Sequence, residues 1–190
     1  MIIEADRVKG LEGGNIRLVA FRSAATHILP IIIAKFCRQF PLIKVSVTEA
    51  DEHSEIENIM RSGQADIGLV HLPCSDEFET WEIFQDKYVV LLPRSLNLNQ
   101  KQLTWKQLAT YSLILSNIES CSRRIRQDLQ RSQNNLNIAY EMREDSSIIG
   151  MAMGGLGAAI MPQLAAEPIP EQLLVYSLPT PLENNSSSSA

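Results

Sequence analysis

The residues of this chain that could do chemistry lie in three short clusters, each beside the expected start of a helix. Arg22, Ser23 and Thr26 stand between an apolar run, Ile16–Phe21, and a long amphipathic stretch that ends at Pro41. Ser120, Cys121 and Ser122, followed by Arg123 and Arg124, open a second helix, and Asp145, Ser146 and Ser147 open a third. The first amides of a helix lack partners inside it, and with nearby hydroxyls they suit a carboxylate or phosphate. Arg22 could add a two-pronged contact to such an anion. His71, at the end of the apolar run ADIGLVHL, could donate a hydrogen bond to the same ligand.

Each residue also has a plainer reading. Ser23 or Thr26 could simply cap the helix, and Asp145 is most simply the cap of the third one. Arg22 could be solvated or pair with Asp51 or Glu52, and His71 could be a satisfied histidine at a strand end. Arginines near a helix start oppose its dipole, so Arg123, Arg124 and Arg126 read mostly as a solvated face.

Nothing here makes a catalytic site. No P-loop, G-x-S-x-G or H-E-x-x-H pattern occurs, and chain order supports no Ser/His/Asp or Cys/His set. Gly154-Gly155-Leu156-Gly157 follows a helix and precedes a strand, the reverse of a pyrophosphate loop, and reads as a turn. The three cysteines, Cys37, Cys74 and Cys121, are scattered and odd in number, which supports neither a zinc site nor a disulfide framework. The expectation is a non-enzyme without cofactor or metal, with reduced thiols, in the cytoplasm.

The elements that must position these residues follow from periodicity. Ile16–Phe21 reads as a strand covered on both faces and Arg22–Thr26 as a polar turn. Ile28, Leu29, Ile32, Ile33, Phe36, Cys37 and Phe40 then mark one helix face. Lys44–Glu49 and Ala65–Leu72 read as strands around a short helix, with Ser54 and Glu57 spaced as a capping box and Gly63 as terminator. Strand, helix, strand, helix, strand is a parallel α/β unit with right-handed crossovers. Two strand pieces are expected in Trp81–Leu92, and Thr104 with Gln107 offers another capping box. A second unit follows: strand Leu113–Leu115, helix Ser120–Gln133, strand Ile138–Met142, helix Ser146–Met153 and strand Ala158–Met161. Leu173–Leu178 is a last short strand, and NNSSSSA reads as a disordered end.

A net charge of −5 argues against this chain gripping nucleic acid by itself. No apolar run reaches the roughly 20 residues that span a bilayer, and the amino terminus has no signal-peptide core. With 45% hydrophobic residues in 190, the chain can bury one large core or two small ones. Two α/β lobes with a cleft between them are expected.

GNIRLVAFRSAATHILPIIIAKFCRQFP, then KVSVTEAD, SGQADIGLV, YVVLLP and MAMGGLGAAIMP, resembles the effector-sensing domain of LysR-type transcriptional regulators over Gly14–Leu182. The resemblance implies two open α/β subdomains with an interlobe cleft, like a type II periplasmic binding protein. It places residues 14–87 and 168–182 in subdomain I, 88–167 in subdomain II, a linker remnant at 1–13 and a tail at 183–190. It implies a small effector touched at Ser23, His71 facing the cleft, and a homodimer or tetramer assembled partly through the first-lobe helix. DNA would be reached only through a helix-turn-helix domain not present in this chain. The family pattern continues past LPTPL into a strand and a helix where NNSSSSA stands here. A solute-binding protein of a transport system shares the fold and is the alternative reading; a small α/β enzyme is a third.

Overall fold

Strand β1, Gly14–Phe21, is the centre of a three-stranded parallel sheet of order β2–β1–β3. The computed structural model describes residues 13–179, apart from 97, 99–101, 133 and the side chain of Ser120. Residues 1–12 of the expected linker (1–13) and the tail (183–190) lie outside the described residues. β2, Ile43–Ala50, pairs along all of β1, and β3, Ile67–Leu69, pairs with Leu18–Ala20. Leu18 and Ala20 pack with Ala24 and Leu29 on one face, while Val19 packs with Ala50, Ile56 and Ala65 on the other. Burial on both faces is what a nearly continuous apolar strand implies.

The expected turn at Arg22–Thr26 is instead helical. Helix α1 spans Arg22–His27, and after a break at Ile28 helix α2 spans Leu29–Gln39. Pro30 explains the break: it has no amide hydrogen, and its ring would clash with the carbonyl four residues back. The helix therefore restarts with proline in its first turn. α2 ends before Pro41 as expected, but Ile32, assigned to its covered face, is 49% exposed.

Helix α3 spans His53–Arg61 with Glu52 as its cap position, so the expected Ser54–Glu57 box does not form. Glu57 instead accepts the Ser75 amide at 2.9 Å and bonds His53 Nε2 at 2.8 Å. Gly63 does end this region, at φ 67°. β3 is shorter than Ala65–Leu72, pairing only with Leu18–Ala20, and at this edge of the sheet Ile67 is 52% exposed.

Of the two strand pieces expected in Trp81–Leu92, only β4, Tyr88–Pro93, forms. It belongs to a five-stranded sheet of order β6–β5–β7–β4–β8. β5 (Ser112–Ser116), β6 (Asn137–Met142) and β7 (Ala158–Pro162) run parallel, while β4 is antiparallel to β7 and to β8, Leu173–Ser177. Helix α4, Trp105–Leu108, carries the expected capping box: the Thr104 hydroxyl accepts the Gln107 amide, and the Gln107 side chain accepts the Thr104 amide. Helices α5 (Glu119–Arg131), α6 (Asp145–Met153) and α7 (Gln163–Ala166) complete the unit. Val90, Leu92, Leu113 and Leu115 face one core with Ile125 and Leu129, and Val89, Leu91 and Ile114 face another with Ile148 and Ala152.

The chain divides after Phe84 into two compact units. Residues 168–182 were expected in the first subdomain, yet β8 pairs with β4 from Val89–Ser177 to Pro93–Leu173 and so belongs to the second unit.

Candidate ligand-binding ends of the two units

In the first sheet the winding reverses at β1, since α1 and α2 lead to β2 on one side and α3 leads to β3 on the other. Ligands of open α/β sheets bind beyond the carboxyl end of such a strand. Gathered there are Phe21 at the end of β1, Arg22 and Ser23 just after it, Asp51 after β2 and His71 after β3. The His71 ring stacks on Phe21, with centroids 4.1 Å apart and 24° between planes, so the ends of β1 and β3 meet. Arg22 Nη2 lies 2.9 Å from Asp51 Oδ1, the ion pair that was its plainer reading. The Thr26 hydroxyl donates to the Arg22 carbonyl at 2.9 Å, closing the helix on itself. Ser23 is half-buried, and its hydroxyl has no partner among the described residues.

The second sheet repeats this reversal at β5, since α5 leads from it to β6 on one side and α6 leads from β6 to β7 on the other. Ser122, expected to face a ligand, is 2% exposed. Its hydroxyl donates to the Ile118 carbonyl at 3.0 Å and accepts from Arg126 Nε at 3.2 Å. Arg126 also donates to Glu141, so Ser122 joins α5 to β6 inside the unit and offers nothing to solvent. Cys121 lies half-buried in the first turn of α5, and its carbonyl accepts the Tyr88 hydroxyl at 2.9 Å. Ser120 precedes it in the same turn, its side chain outside the described set. Ser146 is exposed in the first turn of α6, with no side-chain partner among the described residues. Asp145 is not the cap of that helix; Glu144 holds the position.

None of α1, α5 and α6 is capped by a side-chain hydrogen bond, whereas α4, which leads into β5 from the opposite edge, has both halves of a capping box. A concavity of about 320 Å³ lies at that opposite edge, lined by Leu92, Pro93, Ser95, Leu96, Tyr111, Met153, Gly154, Gly155 and Gly157, none of them charged. Sequence reasoning missed Tyr88, whose only signal was a hydroxyl at the first position of the apolar run YVVLLP. Burial, above all, pushes that phenol up to about 12. Among the described residues no cluster of His, Cys, Asp and Glu could hold a metal, and no helix is long and apolar enough to cross a membrane.

The model of the LysR substrate binding domain matches residues 9–186. The chain belongs to this family. It is 47% identical over 183 residues to LrrA of Synechococcus elongatus, a probable HTH-type transcriptional regulator, covering 96% of this chain and 62% of that one. The LysR-family chain thus spans about three-fifths of that relative's length. Among solved structures, the effector binding domain of QuiR in complex with shikimate matches with a TM-score of 0.74 at 19% identity, covering 90% of this chain and 83% of that one. The regulatory domain of Synechocystis CcmR in complex with 2-PG also gives 0.74 at 19% identity, covering 87% and 81%. These likenesses establish the type II periplasmic-binding-protein-like α/β fold. The family is one of transcription regulators, not enzymes.

Proposed function

We propose that this domain is the effector sensor of a LysR-type transcription regulator and that it takes a small anionic metabolite at a strand carboxyl end, that of β1 in the first unit or those of β5 and β6 in the second. One observation carries the reading: the helices that start at those ends lack side-chain caps, and beside them Ser23 and Ser146 keep hydroxyls without partners among the described residues. Uncapped first-turn amides and free hydroxyls favour a carboxylate or phosphate. The shikimate held by the QuiR domain is a carboxylate, which supports the same ligand class here. Ser23, His71, Ser120, Cys121 and Ser146 are the proposed contacts, with Arg22 acting as half of its pair with Asp51. Thr26 and Ser122 drop out because their hydroxyls close backbone turns.

In this reading the chain assembles as a homodimer or tetramer, helped by the exposed Ile31 and Ile32 of α2 and Leu42 beside β2. DNA is contacted through a helix-turn-helix domain outside this chain, in the cytoplasm. The test is a thermal-shift screen of dicarboxylates, 2-oxo acids, sugar phosphates, shikimate and amino acids. A ligand at ~100 times its dissociation constant adds about 2.7 kcal/mol, or roughly 5–10 °C. A selective shift by an anion is expected; a shift confined to neutral or cationic compounds would overturn the anion reading.

A further inference from the structure

We propose that residues 79–85 are a docking strand, completed when a basic, extended segment of another protein pairs with their backbone. Docking here needs no effector and stands apart from the ligand reading above. Thr80, Trp81, Ile83 and Phe84 are strand formers, which is why a strand piece is expected at this point of the chain. The structure gives it no neighbour. Residues 79–85 make no turn or bend and are all exposed. Among the described residues they take part in no hydrogen bond, through backbone or side chain. Trp81 is 74% exposed and Ile83 67%. An unpaired stretch of this kind is a template for an added strand.

The stretch starts from a held point. The Ser75 amide donates to Glu57 at 2.9 Å, Arg61 Nε donates to Glu77 at 3.2 Å, and the Arg61 guanidinium lies 6.0 Å from the centre of the Phe78 ring. These contacts tie the chain to α3 just before residue 79. Charge names the partner. No lysine or arginine stands between Arg61 and Lys87. Glu77 is already used by Arg61, while Asp76, Glu79 and Glu82 form no ion pair among the described residues. A second copy of the chain would bring these carboxylates together, and like charges across paired strands repel. The chain after β8 reads Pro179-Thr180-Pro181, and prolines have no amide to give to a ladder. A segment that alternates Lys or Arg with Val, Ile or Thr meets every need. It supplies backbone bonds, covers Trp81 and Ile83, and sets cations against Glu79 and Glu82.

The probe is acetyl-Lys-Val-Lys-Thr-Lys-Val-Lys-amide, titrated into the full chain and followed by backbone NMR, with the same peptide carrying Glu for Lys as control. The lysine peptide should shift and protect amides of residues 80–84 and shield Trp81 from a fluorescence quencher; the glutamate peptide should do neither. Glu82→Lys should weaken the lysine peptide about five- to tenfold, since like charges then face each other. Neighbouring amides of a strand point to opposite edges. One of Glu82→Pro and Ile83→Pro should therefore remove binding and the other largely spare it, and the exposure of both residues lets the fold survive either. Equal binding of the two peptides, no shift at residues 80–84, or binding that tolerates both prolines would overturn the proposal. So would a stretch already covered in the free protein. A second copy there would show as a dimer that one of the proline variants splits, and residues beyond Pro179 would show as NOEs to Trp81.

Discussion

The two units solve the same folding problem with different materials. The second buries its sheet on both faces: Leu91, Leu92, Leu113, Ile114, Leu115 and Ile148 are almost wholly inaccessible to solvent. The first has only three strands, and Ile31, Leu42, Ile67 and Trp81 remain largely exposed. What it lacks in core it replaces with charge. Arg17 of β1 donates to both carboxylate oxygens of Asp66 and to the Gly63 carbonyl, clamping β1 to the start of β3. His53, Glu57 and Arg61 lie at successive four-residue steps on α3 and tie down the loop after β3 through Ser75 and Glu77. Apolar burial is indifferent to pH, whereas exposed ion pairs weaken with acid and salt. The two units should therefore answer differently to the same insult.

The largest contrast should come from core truncation. Ile114→Ala removes a fully buried side chain between β6 and β7 and should cost about 3–4 kcal/mol, while Leu18→Ala in the thinner first unit should cost about 2–3. Native-state hydrogen exchange of β5 and β1 amides measures each loss where it occurs. Equal losses would mean that the first unit is as tightly packed as the second.

Acid should reverse the order of vulnerability. The Arg17 guanidinium and amide hold Asp66 below the usual carboxylate range. The Ser75 amide and His53 do so for Glu57, and Arg61 and Ser75 for Glu77. A carboxylate whose folded value is depressed adds stability above its unfolded value, about 4, and loses it as pH falls through the folded one. Protection of β1 and β3 amides should thus fall below about pH 4 before that of β5. Asp66→Asn should flatten that dependence; a profile unaltered by the substitution would remove the clamp from the account.

Much of this was legible in the sequence, because it depends on neighbours in the chain. The apolar run before Arg22, the Thr104–Gln107 box and the stop at Gly63 are local features, and each formed as read. The failures involve choices among local and distant partners. Ser54 and Glu57 have capping spacing, but Glu57 is claimed by a Ser75 amide that periodicity cannot foresee. Hydroxyls at Thr26 and Ser122 turn back to the carbonyl four residues earlier, an option open to any helical serine or threonine. β8 reads as a strand, yet nothing in its pattern says which sheet it joins. Ser23 and Ser146 were chosen for their position beside a helix start, and both retain hydroxyls without partners among the described residues.

The central claim is that the end of β1 is a ligand site, and Ser23 is its most exacting test. Isothermal titration of wild type and Ser23→Ala should use the compound that gives the largest thermal shift. The account predicts affinity about tenfold weaker in the variant, the loss of one hydrogen bond to a charged ligand, with a melting temperature within about 2 °C of wild type. Equal affinity in the two proteins would contradict it and move the ligand away from β1.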